Sequence, residues 1–308
     1  MASAGVRRLF AKGADCPLFA DLHIHMLLDG VYWRDAIAAH KPQPDDALIR
    51  RRLAAYRSAG ITWLRDGGDR FGVCLRAREL APEYGIAYCT PAFPIYKKGH
   101  YGGFIGRGWE TFAEYQALLA QAKAEGADFI KLMVSGLMDF SAFGVLTEEP
   151  LTGEEMRCLV AAAHDQGFAV MAHCNGAKAA QSLAISGVDS IEHGAYLDDE
   201  ACHALAENDV VWVPTLSTIG NLLGSGRYDD AVLTQILRSA QENVRKVAAL
   251  GGFIGLGSDA GAFRVPHVAG ALSEEKWLRQ TLGEETDTIL TAAEKQVKSR
   301  FQPAKRGT

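Results

Sequence analysis

The sequence predicts an α/β protein folded as a (β/α)8 TIM barrel, a single catalytic domain over residues 1–308. Three observations carry that reading: eight short apolar runs, helical patterns between them, and a consistent difference between the two kinds of connection. The apolar runs cover residues 19–25, 61–65, 86–90, 129–133, 168–173, 190–193, 210–216 and 253–258. Between them lie segments rich in Ala, Leu, Glu, Lys and Arg, such as 111–125, 153–166 and 231–250, with helical character. Strands alternating with helices indicate a parallel sheet, and eight such units in one run point to a barrel.

The connections give the barrel a direction. Links from helix to strand are short and usually carry glycine, the residue expected where a helix ends in a left-handed conformation. Links from strand to helix are longer, notably 91–108, 134–152, 217–230 and 260–272. Barrel active sites lie on the face that carries those longer loops. The five glycines at 99, 102, 103, 106 and 108 suit either a mobile lid or an irregular surface loop. Residues 1–16 and 297–308 are expected to be short terminal extensions, with the basic segment 295–308 forming a helix end and a solvated terminus.

Composition bounds the function. With 48% apolar residues and a formal net charge of −5, the chain reads as a soluble globule that offers no electrostatic case for nucleic acid or an anionic membrane. No apolar stretch approaches a membrane span, and the first 14 residues lack the apolar core of a signal peptide. The six cysteines form no CxxC pair, which fits a reducing, cytoplasmic setting. The expected partner is a small-molecule substrate, and homo-oligomerisation is left open.

The polar residues in the strands carry the chemistry. His23 and His25 stand two apart, so in an extended strand both imidazoles leave from one face. Lys131 falls in the fourth strand, His173 ends the fifth, His193 ends the sixth, and Asp259 follows the eighth. A lone strand histidine is more often a satisfied core residue; Lys131 could snorkel, and Asp259 could cap a helix. Those readings do not account for six such residues at one barrel mouth, because isolated charged groups in a barrel interior are costly without partners. Imidazole and carboxylate donors with a position open to solvent make a catalytic zinc-type site. Asp21 shares the parity of the two histidines and is a candidate to orient one. Glu192 and Cys174, by alternation, are expected to point away from the site. His40, His164 and His203 are expected at the surface.

These residues carry a resemblance. Asp21-Leu22-His23-Ile24-His25, Phe129-Ile130-Lys131, Met171-Ala172-His173, Ile191-Glu192-His193-Gly194 and Gly257-Ser258-Asp259-Ala260 resemble the motifs of the amidohydrolase superfamily. The wording around them is similar to the imidazolonepropionase-like and prolidase-like branch. The likeness runs over roughly residues 17–265, nearly the whole barrel. It implies two Zn2+ ions: His23, His25 and Asp259 on one, His173 and His193 on the other, and a carboxylated Lys131 bridging them. It further implies attack on an amide by a metal-bound hydroxide, with Asp259 as proton acceptor and donor and with His193 and His100 completing the catalytic set.

The segment Lys98-Gly99-His100-Tyr101-Gly102-Gly103 resembles one in that branch whose histidine lies near substrate. His100, Tyr101, Tyr228 and Arg264 are the substrate-binding candidates. An arginine can clamp a carboxylate, so a dipeptide or N-acyl amino acid is the expected substrate. The alternatives are a mononuclear deaminase or a lactonase of the same superfamily, or a non-catalytic metal-binding barrel. Deaminases of the superfamily carry a Glu shortly after the fifth-strand histidine, and His173-Cys174-Asn175-Gly176-Ala177 has none. Most relatives also carry a β-sandwich built from both chain ends. With 18 residues before the first strand and 49 after Asp259, the expectation here is a barrel without it.

Overall fold

Eight strand positions ring a common interior in the computed structural model, which describes residues 19–302. Strand β1 (Phe19–Ile24) pairs in parallel with β2 (Ile61–Asp66), and β2 with β3 (Ala87–Cys89). Beyond a bend at residues 90–93 the third position continues as β4 (Pro94–Lys97), with β5 (Arg107–Trp109) along its outer edge. Next to β4 comes β6 (Ile130–Met133), then β7 (Val170–Cys174), β8 (Ser190–His193), β9 (Val211–Val213) and β10 (Phe253–Ile254), all parallel. Backbone hydrogen bonds complete the ring. Leu22 N donates to Leu256 O (2.9 Å), His25 N to Ala260 O (2.7 Å), and across the other seam Asp128 N donates to Thr90 O (2.9 Å).

The strands stand where the apolar runs predict them, with one difference. Segment 91–108 reads as loop in the sequence, yet it contains β4 and the start of β5. Its glycines serve close packing: a Cβ on Gly106 would lie 2.7 Å from Pro94 O, and one on Gly102 would lie 2.8 Å from Tyr96 Cβ. At Gly106 backbone must approach backbone, and glycine permits it.

Helices α1 (Trp33–Ala39), α2 (Asp46–Ser58), α3 (Val73–Leu80), α4 (Phe112–Ala124), α5 (Gly153–Asp165), α6 (Ala177–Ile185) and α7 (Asp199–Glu207) cover the outside of the sheet. They are followed by α8 (Ser217–Gly220), α9 (Asp230–Ala249), α10 (Ala269–Leu282) and α11 (Thr286–Arg300). Helices α4 and α5 start with reciprocal capping boxes, Thr111 with Glu114 and Thr152 with Glu155, which satisfy backbone donors that the first turn leaves unpaired. No helix among the described residues is long and apolar enough to cross a membrane. Cys74, Cys89, Cys158, Cys174 and Cys202 are free thiols, and Cys16 lies outside the described residues.

The barrel has a floor. Ala20, Leu22, Trp63, Phe129, Met171 and Val211 fill its interior and pack on Ala293, Val297 and Phe301. Those last three stand four apart, which places them on one face of the chain that continues α11. Phe301 meets Phe129 edge-on, with centroids 5.2 Å apart, and lies beneath the Arg65 guanidinium at 4.5 Å. Residues 297–302, expected to belong to a solvated extension, are therefore partly built into the barrel. The expected extension at 1–16 lies outside the described residues, as do residues 303–308.

Phe301→Ala should remove about 3–5 kcal/mol of stability, the range for deleting a buried aromatic side chain. A urea midpoint unchanged by that substitution would show that the floor is not part of the cooperative core.

Candidate active site

The strands bring all six cluster residues to one end of the barrel. His23 Nε2 and His25 Nε2 lie 3.4 Å apart, and Asp259 Oδ1 stands 3.5 Å from the first and 3.4 Å from the second. Donors about 2.1 Å from a zinc ion at tetrahedral angles stand roughly 3.4 Å apart, so this triangle has the spacing of three metal ligands. The His193 ring centroid lies 5.2 Å from that of His23 and 4.6 Å from that of His173. Lys131 lies in the same cavity wall, with Nζ buried and, among the described residues, without a hydrogen-bond partner.

Several contacts aim the rings. His23 Nδ1 lies 2.9 Å from Glu192 Oε2, which turns Nε2 into the triangle. His193 Nδ1 pairs with Thr215 Oγ1 at 2.8 Å, and His173 Nε2 with Gly136 O at 3.1 Å, leaving one nitrogen of each ring uncommitted. A Cβ on Gly67 would lie 2.4 Å from His25 Cε1, so glycine is what lets that loop lie against the ring.

Glu192 is a correction to the sequence reading. It points into the barrel rather than toward the helices. The register pairs His173 with Glu192 and Cys174 with His193, so Glu192 holds the inward place in β8. His193 reaches the cavity because its backbone turns left-handed, with φ of 69°. Alternation fails at that residue. Thr215 (φ 49°) and Asp259 (φ 58°) share this conformation, which costs energy in any residue with a side chain and tends to cluster at functional sites.

Beneath Glu192 lies Arg65, and both side chains are 0% exposed. The Arg65 guanidinium donates to Glu192 Oε1 (2.8 Å) and Ser190 Oγ (2.8 Å), and its Nε donates to Leu22 O (2.6 Å). Asp21 acts on the other side of the site. Its carboxylate accepts from Ser258 N (2.8 Å) and Ser258 Oγ (2.6 Å), fixing the turn that presents Asp259.

Burial sets the protonation states. It lowers His25 and His173 to about 3 and holds His23 and His193 well below the usual imidazole range. All four rings are then neutral near pH 7, the form that offers a lone pair to a metal. Burial also pulls Lys131 down toward the neutral amine and pushes Asp259 up toward the neutral acid. A buried amine without a hydrogen-bond partner among the described residues, and a carboxyl group facing two imidazoles, make a donor set that a dication would satisfy.

A cavity of about 580 Å³ opens above the cluster. Tyr101 and Tyr228 line it, and the Tyr101 ring packs on His173 at 5.1 Å. The structure does not bring His100 or Arg264 to this wall. His100 Nδ1 lies 4.0 Å from a Glu148 oxygen, and Arg264 Nε donates to Asn221 O at 3.0 Å. His40 is buried, not exposed, and accepts a hydrogen bond from Asp45 N at 3.0 Å. Residues that sequence reasoning did not assign are Arg65, Thr215 and Glu192 behind the cluster, and Arg34 and Arg227 in the cavity wall. Arg65 and Glu192 left one signal, a charged residue within an apolar strand run.

Fold and donor set together define a (β/α)8 barrel with a metal-type site at the C-terminal ends of its strands. The chain belongs to the amidohydrolase family, whose family model matches residues 16–293. It is therefore a hydrolase acting on carbon–nitrogen bonds. An uncharacterized protein of Mycobacterium tuberculosis is 28% identical over 301 residues, covering 94% of this chain and 75% of that one. Among solved structures, A. niger ochratoxinase shares the fold with a TM-score of 0.73 at 22% identity, over 90% of this chain and 69% of that chain. A Xaa-Pro dipeptidase with methionine bound in its active site does so with a TM-score of 0.71 at 22% identity, over 92% and 74%.

Glu192→Gln would leave the Arg65 charge buried without its partner. The expected cost is about 3–5 kcal/mol in urea unfolding, as for other buried pairs broken on one side. A loss below about 1 kcal/mol, the level of an exposed pair, would contradict the burial described here.

Proposed function

We propose that this protein is a metal-dependent amidohydrolase that cleaves the amide or peptide-like C–N bond of a small substrate such as a dipeptide or N-acyl amino acid. The observation that carries the proposal is the triangle of His23 Nε2, His25 Nε2 and Asp259 Oδ1, with sides of 3.4–3.5 Å. These three residues would hold one ion, and His173 and His193 a second. Nitrogen and carboxylate donors of this kind favour Zn2+ among the common divalent metals.

The Lys131 amine, buried and without a hydrogen-bond partner among the described residues, supports a carboxylated lysine that would help hold the ions. The neutral amine nitrogen adds to the carbon of CO2 and loses a proton, which converts a group that would repel cations into an anion with two oxygens. Neutral lysine is the reactive form, and burial favours it. When bound, a divalent metal supplies an acidified water and polarisation of the scissile carbonyl.

The chain's own groups do the rest. Asp259, poised by burial near the neutral acid, accepts the proton of the attacking water at its carboxylate and returns it to the leaving nitrogen. Glu192 and Thr215 hold His23 and His193 in orientation. The Tyr101 phenol, kept protonated by burial, offers a donor toward substrate. The unpaired cysteines support a reducing, cytoplasmic setting.

The test is metal-resolved kinetics on an amide panel. Purified protein should carry two divalent ions per chain, lose hydrolysis on chelation and regain it with Zn2+. Lys131→Met should retain no more than one ion and fall to background activity. Unchanged turnover after complete chelation, or an unchanged ion count in the lysine variant, would refute the metal assignment and the carbamate in turn.

A further inference from the structure

The cavity wall above the cluster is apolar and aromatic, with two isolated charges. Apart from the six cluster residues, the charged side chains lining it are Arg34 and Arg227, and Asp259 is its one acid. Among the described residues neither arginine has a carboxylate partner. Each lies against aromatic rings instead. Arg34 sits 4.4 Å from the Trp33 ring centroid and donates to Tyr32 Oη at 2.8 Å. Arg227 sits 4.5 Å from the Phe263 centroid and 5.4 Å from that of Tyr228.

These rings build two walls. Trp33 meets Phe104 edge-on at 5.6 Å on one side, and Tyr228 packs on Phe140 at 5.4 Å on the other. A guanidinium stacked on a ring keeps its orientation and still presents N–H donors at its edge, the geometry that grips a carboxylate in a bidentate fashion. In a chain of net charge −5, two unpaired cations at the mouth of the reaction cavity are a local inversion of sign. The volume, about 580 Å³, lies within the range of small-molecule sites and leaves room for a bulky apolar group.

We infer that Arg34 and Arg227 are specificity-determining residues that select an anionic substrate with a large apolar body, an N-acyl amino acid carrying an aromatic or long alkyl group and a free carboxylate. This rests on the amidohydrolase reading for the bond cleaved, but the recognition it describes is a property of the cavity wall. The rings take the apolar body, and the guanidinium edges take the carboxylate.

The experiment compares N-benzoyl-L-phenylalanine with its primary carboxamide and with N-acetylglycine, on metal-loaded wild type and on Arg34→Gln, Arg227→Gln and the double variant. Steady-state kinetics and calorimetric Kd are both measured, with melting temperature as the check on folding. Wild type should prefer the bulky acid over both comparators. In at least one single variant KM for the acid should rise about tenfold or more, the scale of a lost charge-assisted hydrogen bond, with kcat little changed. The carboxamide should be unaffected, and the preference for the acid should vanish in the double variant.

Equal handling of acid and carboxamide by wild type, or a double variant that keeps the preference, would overturn the inference. If the acid binds selectively through these arginines and no panel member is hydrolysed, the inference stands and the amidohydrolase reading of the substrate falls.

Discussion

Arg65 and Glu192 form an ion pair inside the barrel, wholly removed from water, and the rest of the site is arranged around it. A desolvated pair of this kind is expensive unless its remaining polar atoms are satisfied. Three hydrogen bonds offset that cost: Arg65 also donates to Leu22 O and Ser190 Oγ, and Ser190 Oγ donates to Glu192. The second oxygen of Glu192 meets His23 Nδ1. From below, Phe301 closes the arginine's face with an aromatic ring delivered by the end of α11. A contact chain therefore runs from the barrel floor through Arg65 and Glu192 to His23, and it ties strands β2 and β8 to the orientation of a proposed ligand on β1. Asp21 and Ser258 do the corresponding job for Asp259 across the β1–β10 seam.

This division of labour separates chemistry from selection. The cluster at the strand ends rests on sheet hydrogen bonds and buried polar contacts, so its geometry belongs to the scaffold. The cavity wall is made by the segments that follow the strands, including the first turn of α1, where exposed Tyr32, Trp33 and Phe263 stand beside Arg34 and Arg227. Such segments can change their side chains without disturbing the barrel.

Much of the barrel was legible because strand period and helix-end glycines are local signals. Gly126 and Gly167 adopt positive φ at helix ends, as their positions predict. His23 and His25 were legible because they stand two apart, although the register of β1 slips between Asp21 and Ile24, which lets Leu22 and His23 both serve the interior. Glu192 was misread because the left-handed turn at His193 lets two consecutive residues, Glu192 and His193, both serve the interior, and alternation cannot describe that. The floor was missed because the basic segment 295–308 reads as solvated, while the spacing of Ala293, Val297 and Phe301 gains meaning only with a barrel end to close. His100 and Arg264 were chosen for side-chain chemistry alone. Which cations beyond the strand ends face the cavity depends on long-range packing, and there Arg34 and Arg227 hold the places.

Six side chains at one barrel mouth are proposed to form a metal centre. Anomalous diffraction at the zinc edge, from crystals of Zn2+-replete protein, tests it most directly. One peak is expected about 2 Å from His23 Nε2, His25 Nε2 and Asp259 Oδ1, a second beside His173 and His193, and extra density on Lys131 Nζ. A barrel mouth without anomalous signal, or zinc bound only elsewhere on the surface, would contradict it.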